Sequence, residues 1–192
     1  VQLIAATDSK TGTVGCTWIA NLGASDSLQT TVGIVVGGYY LRDDPSENAL
    51  VTVAKPIPGS IAGGGNLVNA SSGGVYAGDA GAKTNFGLNV KNNKSGRNFQ
   101  GSVNLILLSG GHTYEVKSNA IDSLVTGVGT PTTPGTASFT GKATLTDITS
   151  PAAPSTVDNG LLDVRMADRG EPGSADSIAI TFWSKTNQVL LS

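Results

Sequence analysis

The sequence predicts an all-β protein, built as an antiparallel β-sandwich of jelly-roll or Ig-like type. Apolar residues alternate with polar ones along most of the chain, as at Phe86, Leu88 and Val90, which is the pattern of strands with one buried face. Clusters of Gly, Pro, Asn and Ser separate these runs. No window of ten or more residues shows a helical stripe, and residues 118–124 allow at most a single helical turn.

The first 56 residues contain four strand-like runs, at 1–7, 13–22, 28–41 and 49–54. An Ig-like sandwich usually needs about seven strands and roughly 100 residues, so we interpret 1–56 as a partial Ig-like β segment. Pro56 and Pro58 mark its end, because proline removes hydrogen-bond donors from a strand. Residues 57–192 form the second predicted domain, the main β-sandwich.

A four-stranded fragment leaves sheet edges open, and three explanations remain for the short first segment. The first segment is either an excised fragment, or a segment that packs on the second domain, or a segment to which a neighbouring chain donates a strand. The β-compatible run at the chain terminus is the candidate for strand exchange. It consists of Val1, Gln2, Leu3, Ile4, Ala5, Ala6 and Thr7.

The second domain carries alternating runs at 86–90, 103–107, 114–116, 139–145, 162–166 and 178–182. Each predicts a strand with one face in the core. Gly63, Gly64 and Gly65 precede no Lys-Ser/Thr pair, which excludes a phosphate-binding loop of the common type. We expect these glycines to allow a close backbone approach or a bulge.

Charge and composition exclude several classes of function. The chain has 12 Lys and Arg against 14 Asp and Glu, so it lacks the basic stripe that nucleic-acid binding requires. No apolar run approaches the roughly 18 residues of a membrane-spanning helix. Aromatic residues are 5% of the chain, and no carboxylate pair is singled out as a glycosidase pair would be. We therefore expect a protein that is not an enzyme.

Cys16 is the only cysteine and His112 the only histidine. Cys16 stands in an apolar run, so we expect a small buried hydrophobic residue. We expect His112 to be an exposed turn residue. A single cysteine and a single histidine cannot supply the Cys and His ligands of a zinc site. Any metal must therefore use oxygen ligands.

The candidate metal site is the loop 168–176, where Asp168, Glu171 and Asp176 lie on a Gly- and Pro-rich turn. Three carboxylates and nearby carbonyls suit Ca²⁺, which takes six to eight oxygen ligands. The alternative is a tight loop in which Asp168 and Asp176 accept backbone N–H bonds. Calcium is thus the one cofactor that the sequence suggests.

Carbohydrate binding would require a platform of exposed aromatic rings. The available residues are Tyr39, Tyr40, Trp18 and Trp183. Trp183 follows Phe182, and the two should face opposite sides of a strand. We favour core and edge packing for these rings, and polysaccharide stays open as a partner.

Several segments resemble a β-sandwich module of large secreted bacterial cell-surface proteins, where it follows Ig-like, PKD or hyalin-repeat units. The similarity begins at VTV (51–53) and GGG (63–65) and covers about 57–192. It is carried by GAKTNFGLNVK (81–91), YEVKSNAIDSL (114–124), FTGKATLTDIT (139–149) and ADRGEPGSADSIAI (167–180). The resemblance implies a non-catalytic extracellular module. The family usually has Asn where Arg169 stands, which weakens a metal site in that loop.

Together these observations predict a non-catalytic extracellular or cell-surface structural protein, a subunit or module of a fibre, sheath or surface layer. We expect it to self-associate into a homopolymer by β-strand addition, through residues 1–7 or the open edge of the first segment. The alternative is a calcium- or carbohydrate-binding adhesion module of a larger secreted protein.

Overall fold

The computed structural model describes residues 2–8, 11–35, 43–55, 59–93, 98–170 and 175–192, with the backbone alone for residues 2–8 and 11–14. In this part of the chain the one helical element is a 3-10 turn, Pro45–Glu47. The strands are β1 Gln2–Asp8, β2 Thr11–Gly15, β3 Ser27–Val32, β4 Ala49–Ala54, β5 Ser60–Val68, β6 Lys83–Asn92, β7 Phe99–Ser109, β8 His112–Gly127, β9 Gly135–Asp147, β10 Ser155–Asp168, β11 Ser177–Ser184 and β12 Val189–Leu191.

Eight strands form one antiparallel sheet in the order β12-β11-β10-β9-β8-β7-β6-β5. The order follows the chain, so each strand of this sheet pairs with its sequence neighbour in a meander. Two further sheets have two strands each, β1-β2 and β3-β4. The prediction of an all-β, antiparallel protein is confirmed.

The core lies on one face of the eight-stranded sheet. Apolar side chains at alternate positions point to this face, as period two requires, and burial of each contributes roughly 1.5–3 kcal/mol. The core residues are Leu88, Val90, Val103, Leu105, Leu107, Tyr114, Val116, Ile121, Phe139, Ala143, Leu145, Leu162, Val164, Phe182, Leu190 and Leu191.

Segment 118–124 is strand rather than helix. It lies in β8, where the register with β9 shifts between Ser118 and Ala120 and again between Ile121 and Ser123. Such bulges add an unpaired residue and increase the local twist. They also break the alternation of apolar and polar residues, and for this reason the sequence of 118–124 was compatible with a single helical turn.

A segment of the β5–β6 connection, residues 73–76, covers the far edge of β12. Gly73 and Ser192 exchange two backbone hydrogen bonds, of 2.8 and 2.9 Å. The Tyr76 N–H donates to the Leu190 carbonyl at 2.7 Å. The eight-stranded sheet therefore curls far enough for a connection at its β5 end to reach the strand at its other end.

Two of the four predicted N-terminal strands are shorter than the sequence predicts, whereas β4 has the predicted bounds, 49–54. The run 13–22 yields β2, which ends at Gly15, and residues 16–22 are irregular. The run 28–41 yields β3, which ends at Val32; residues 33–35 are irregular and 36–42 lie outside the described residues.

Candidate assembly surface and other candidate sites

The predicted exchange strand forms a hairpin. Gln2 pairs with Gly15 and Ile4 with Thr13, so β1 is bonded along one edge to β2. Residues 2–7 belong to β1, and Val1 lies outside the described residues. Among the described strands, this hairpin has no third partner. Both of its outer edges therefore carry backbone groups that another strand can pair with.

The second hairpin, β3–β4, lies on the face of the main sheet opposite the core. A Cβ added to Gly87 of β6 would lie 2.9 Å from Gln29 Nε2, 2.9 Å from Thr52 Oγ1 and 3.3 Å from Leu50 Cβ. A Cβ at Gly64 would lie 3.5 Å from the Leu50 carbonyl oxygen. Glycine at position 87 lets the hairpin approach the sheet closely, whereas a Cβ at position 64 would make only ordinary contact with the hairpin. The close approach at Gly64 is to β6, where a Cβ would lie 3.1 Å from the Phe86 carbonyl oxygen, which fits the expectation for the run 63–65.

An ion-pair cluster fixes one end of this hairpin to the main sheet. Asp26, just before β3, pairs with Lys91 at the end of β6, and its second oxygen is 3.9 Å from Lys55 Nζ. The Lys55 N–H also donates to the Asp26 carbonyl at 2.8 Å. Part of the first segment thus packs on the second domain, the second of the three explanations offered for its small size.

The face of β3–β4 that points away from the sheet is the more apolar one. Gln29 and Thr52 form one cross-strand pair and face Gly87, so alternation places their neighbours on the other side. Those neighbours include the pair of Leu28 and Val53, both half-buried, and Val32, which is 43% exposed. Much of the apolar surface of the hairpin therefore faces away from the main sheet on which the hairpin packs.

Further apolar side chains of the first segment are exposed in the irregular stretches that flank β3. Ile19 is 87% exposed, Ile34 77% and Val35 65%. Trp18 is 51% exposed, so its ring is not packed in the core. An accumulation of exposed apolar residues is typical of a surface that contacts another molecule.

The expectation of a buried Cys16 is wrong. Cys16 is exposed, and its Sγ lies 3.9 Å from the neighbouring Thr17 carbonyl. The local run is apolar, but no other described element covers it, and an apolar run becomes buried only where the fold supplies a partner. Trp183 and Phe182 do face opposite sides: Phe182 is fully buried and Trp183 half-buried. Tyr39 and Tyr40 lie outside the described residues.

In the candidate calcium loop, the two described carboxylates accept hydrogen bonds from backbone N–H groups. Asp168 Oδ1 accepts the Gly170 N–H at 2.8 Å, and Asp176 Oδ1 accepts the Arg169 N–H at 2.8 Å. Glu171 lies outside the described residues. Among the described residues, no group of three or more His, Cys, Asp or Glu is placed to hold a metal. The geometry matches the alternative of a tight loop.

The sequence did not reveal a polar cluster at one end of the main sheet. His112 is exposed, as expected, but its Nδ1 lies 2.7 Å from Asp147 Oδ2. The Thr149 N–H donates to Asp147 Oδ1 at 2.9 Å. Hydrogen bonds from the Thr149 hydroxyl and N–H, with His112 adding to them, lower the pKa of Asp147.

Two tyrosines lie beside this cluster. Tyr114 stacks near His112, with ring centroids 6.1 Å apart, and contacts Tyr76 at 5.0 Å. Burial, and then the nearby Asp147 carboxylate, raise the pKa of Tyr114. His112 and Asp147 lie 35 residues apart, and only the pairing of β8 with β9 brings them together.

Comparisons with protein-family models, with curated proteins and with solved structures gave no match. Among the described residues, no helix has the length and apolar character needed to cross a membrane.

Proposed function

We propose that this chain is a non-catalytic structural subunit or module that joins other copies of itself by β-strand addition. One observation carries the proposal: both N-terminal hairpins remain two-stranded sheets among the described strands. An isolated two-stranded hairpin is marginally stable in water at best. The β1–β2 hairpin thus gains most from pairing with a further strand.

Strand addition supplies that partner through main-chain hydrogen bonds, with side-chain contacts setting the register. The outer edge of β1 is the donor in this proposal, and an edge of β3 or β4 on another copy is the acceptor. Leu28, Val53 and Val32 lie on the outward face beside that acceptor. Covering them removes apolar surface from water, which favours association.

The charge of the chain is compatible with dense packing of copies. Only 14% of residues are charged, and the net charge is −2, so little like-charge repulsion opposes contact. The resemblance of residues 57–192 to a secreted cell-surface module supports an extracellular setting. In that setting the assembly is a fibre, a sheath or a surface layer.

The test is the molar mass of the purified chain in solution as its concentration rises, with and without calcium. The wild type should exceed the monomer mass of 19.3 kDa. A variant in which residues 1–7 are replaced by an equally long Gly-Ser segment should remain monomeric, because it loses the β propensity of the donor strand. The same replacement in the exposed loop 128–134 is the control and should assemble like the wild type.

A wild type that is monomeric at every concentration would overturn the proposal. The chain would then be better explained as a binding or spacer module. Calcium- and polysaccharide-binding assays would follow.

A further inference from the structure

β5 is an edge strand of the eight-stranded sheet, and no other described strand pairs with its outer edge. It pairs with β6 along its whole length without a register shift. Residues 62, 64–66 and 68 are exposed. The opposite edge of the same sheet, at β12, is covered by residues 73–76. Of the two edges of this sheet, β5 is therefore the one that a further strand can reach.

β5 also lacks the features that usually prevent strand addition. Natural edge strands are commonly protected by charged side chains, prolines or bulges. The nine residues of β5, SIAGGGNLV (60–68), include no charged residue and no proline, and their pairing with β6 is regular. Such an edge is a template for main-chain hydrogen bonds with an extended segment.

The core side of β5 is incomplete at one position. Gly63 pairs with Leu88 and Gly65 with Phe86. Leu88 lies in the core, so both glycines are on the core side of the sheet. The Phe86 ring covers Gly65, since a Cβ there would lie 3.5 Å from Phe86 Cζ, whereas a Cβ at Gly63 would meet nothing within 4 Å. An added strand with a large apolar residue opposite Gly63 would fill this space.

We propose that the β5 edge is a second acceptor for the N-terminal strand of another copy, besides the edge of β3 or β4. This inference rests on the proposed function, in which that strand is the donor. The donor run VQLIAAT (1–7), like β5, contains no charged residue and no proline. Pairing the two strands therefore brings no uncompensated charge to the edge of the core.

The length and sequence of the donor run fit the open position on β5. Ile4 is the central residue of the run 1–7. The register that places Ile4 opposite Gly63 aligns the run with residues 60–66, whether the strands are parallel or antiparallel. A large apolar residue then stands where the core side of β5 has open space, and its burial favours association.

Other occupants fit this edge less well. A second β5, paired in antiparallel orientation along its full length, places Gly65 opposite Gly63 and leaves the space unfilled. A charged segment brings a charge beside the core, where it loses hydration. A small molecule does not match the repeating N–H and C=O groups of an edge strand.

The experiment uses the variant in which a Gly-Ser segment replaces residues 1–7, titrated with the capped peptide Ac-VQLIAAT-NH2. Amide hydrogen exchange measured by NMR locates the bound peptide. Amides of residues 61–68 that point away from β6 should become protected, with a Kd of about 0.1–1 mM. The same peptide with Ile4→Ser should bind about tenfold more weakly, because it lacks the apolar side chain that fills the space over Gly63.

A matched pair of protein variants tests the position of the peptide. Gly63→Lys places a charge on the core side of β5, where the monomer has open space. It should therefore leave the fold intact and raise the Kd at β5 at least about tenfold. Val125→Lys adds the same charge at a position of β8 that is 66% exposed, and it should leave the Kd unchanged. If Gly63→Lys disturbs the fold, the Ile4→Ser peptide provides the same test on the unaltered sheet.

The outcomes separate this inference from the proposed function. Protection confined to β3 or β4 would overturn the second acceptor and leave strand addition standing. A Kd at β5 that neither Gly63→Lys nor the Ile4→Ser peptide changes would also overturn it. A peptide that protects no edge at any concentration would contradict both the second acceptor and the proposed function.

Discussion

Leu161 and Leu162 are neighbours in β10 with opposite surroundings. Leu162 is 1% exposed, whereas Leu161 is 48% exposed and pairs across the strands with Trp183. The sequence predicted this difference, because the alternation at 162–166 places Leu162 in the core. At the scale of single residues, period two was the most informative signal wherever the pairing is regular.

Leu162→Ala should lower the free energy of unfolding by about 2–5 kcal/mol, because it leaves a cavity in the core. Leu161→Ala is the matched control and should cost only about 0.5 kcal/mol, as surface substitutions usually do. Urea denaturation of both variants measures the difference. Equal losses of stability would contradict the assignment of the core to one face of the sheet.

Asp147 makes the stability depend on pH in the acid range. Its pKa is lowered from the ordinary value of 3.8, chiefly by hydrogen bonds from Thr149. The ionised form is thus favoured in the folded state, so its contribution is present above the ordinary pKa and is lost as the pH falls through the lowered one.

Asp147→Asn should therefore destabilise the protein most clearly at about pH 5, and the difference from wild type should shrink on acidification to about pH 2.5. Unfolding midpoints of both proteins across this range provide the measurement. A difference that stays the same at both ends would show that the charge of Asp147 does not stabilise the fold.

Individual elements depend on contacts that the local sequence does not record. Residues 73–76 pair with β12 although more than 100 residues separate them in the printed sequence, so no periodicity could predict the contact. The predicted burial of Cys16 failed for a related reason, since it required a covering element. By contrast, β6 and β7 form where the alternating runs 86–90 and 103–107 predict strands, and both extend beyond those runs.

Gly74→Ala tests the closure of the main sheet. Gly74 has φ of +100°, and an added Cβ would lie 2.6 Å from the backbone C and O of Leu190. The substitution should cost at least about 1 kcal/mol and speed hydrogen exchange at the Tyr76 amide. Gly73→Ala, whose Cβ meets nothing within 4 Å, is the control. Similar exchange rates in the two variants would contradict a closing role for this segment.

At the scale of the whole molecule, the chain combines a closed part and an open part. The curled sheet has a continuous core and one edge covered by residues 73–76. The N-terminal hairpins have unpaired edges among the described strands and exposed apolar side chains. The strand count of the first segment indicated its open edges, but the docking of β3–β4 over Gly64 and Gly87 depends on tertiary packing and could not be predicted.

The most direct test of strand addition is hydrogen exchange of the β1 amides as a function of protein concentration. Half of the amides of an edge strand point away from its partner, so in the monomer the outward amides of β1 exchange rapidly. We predict that these amides become protected as the concentration rises, together with outward amides of β3 or β4, while rates in β7 stay constant. Exchange rates in β1 that do not change with concentration would contradict assembly by strand addition.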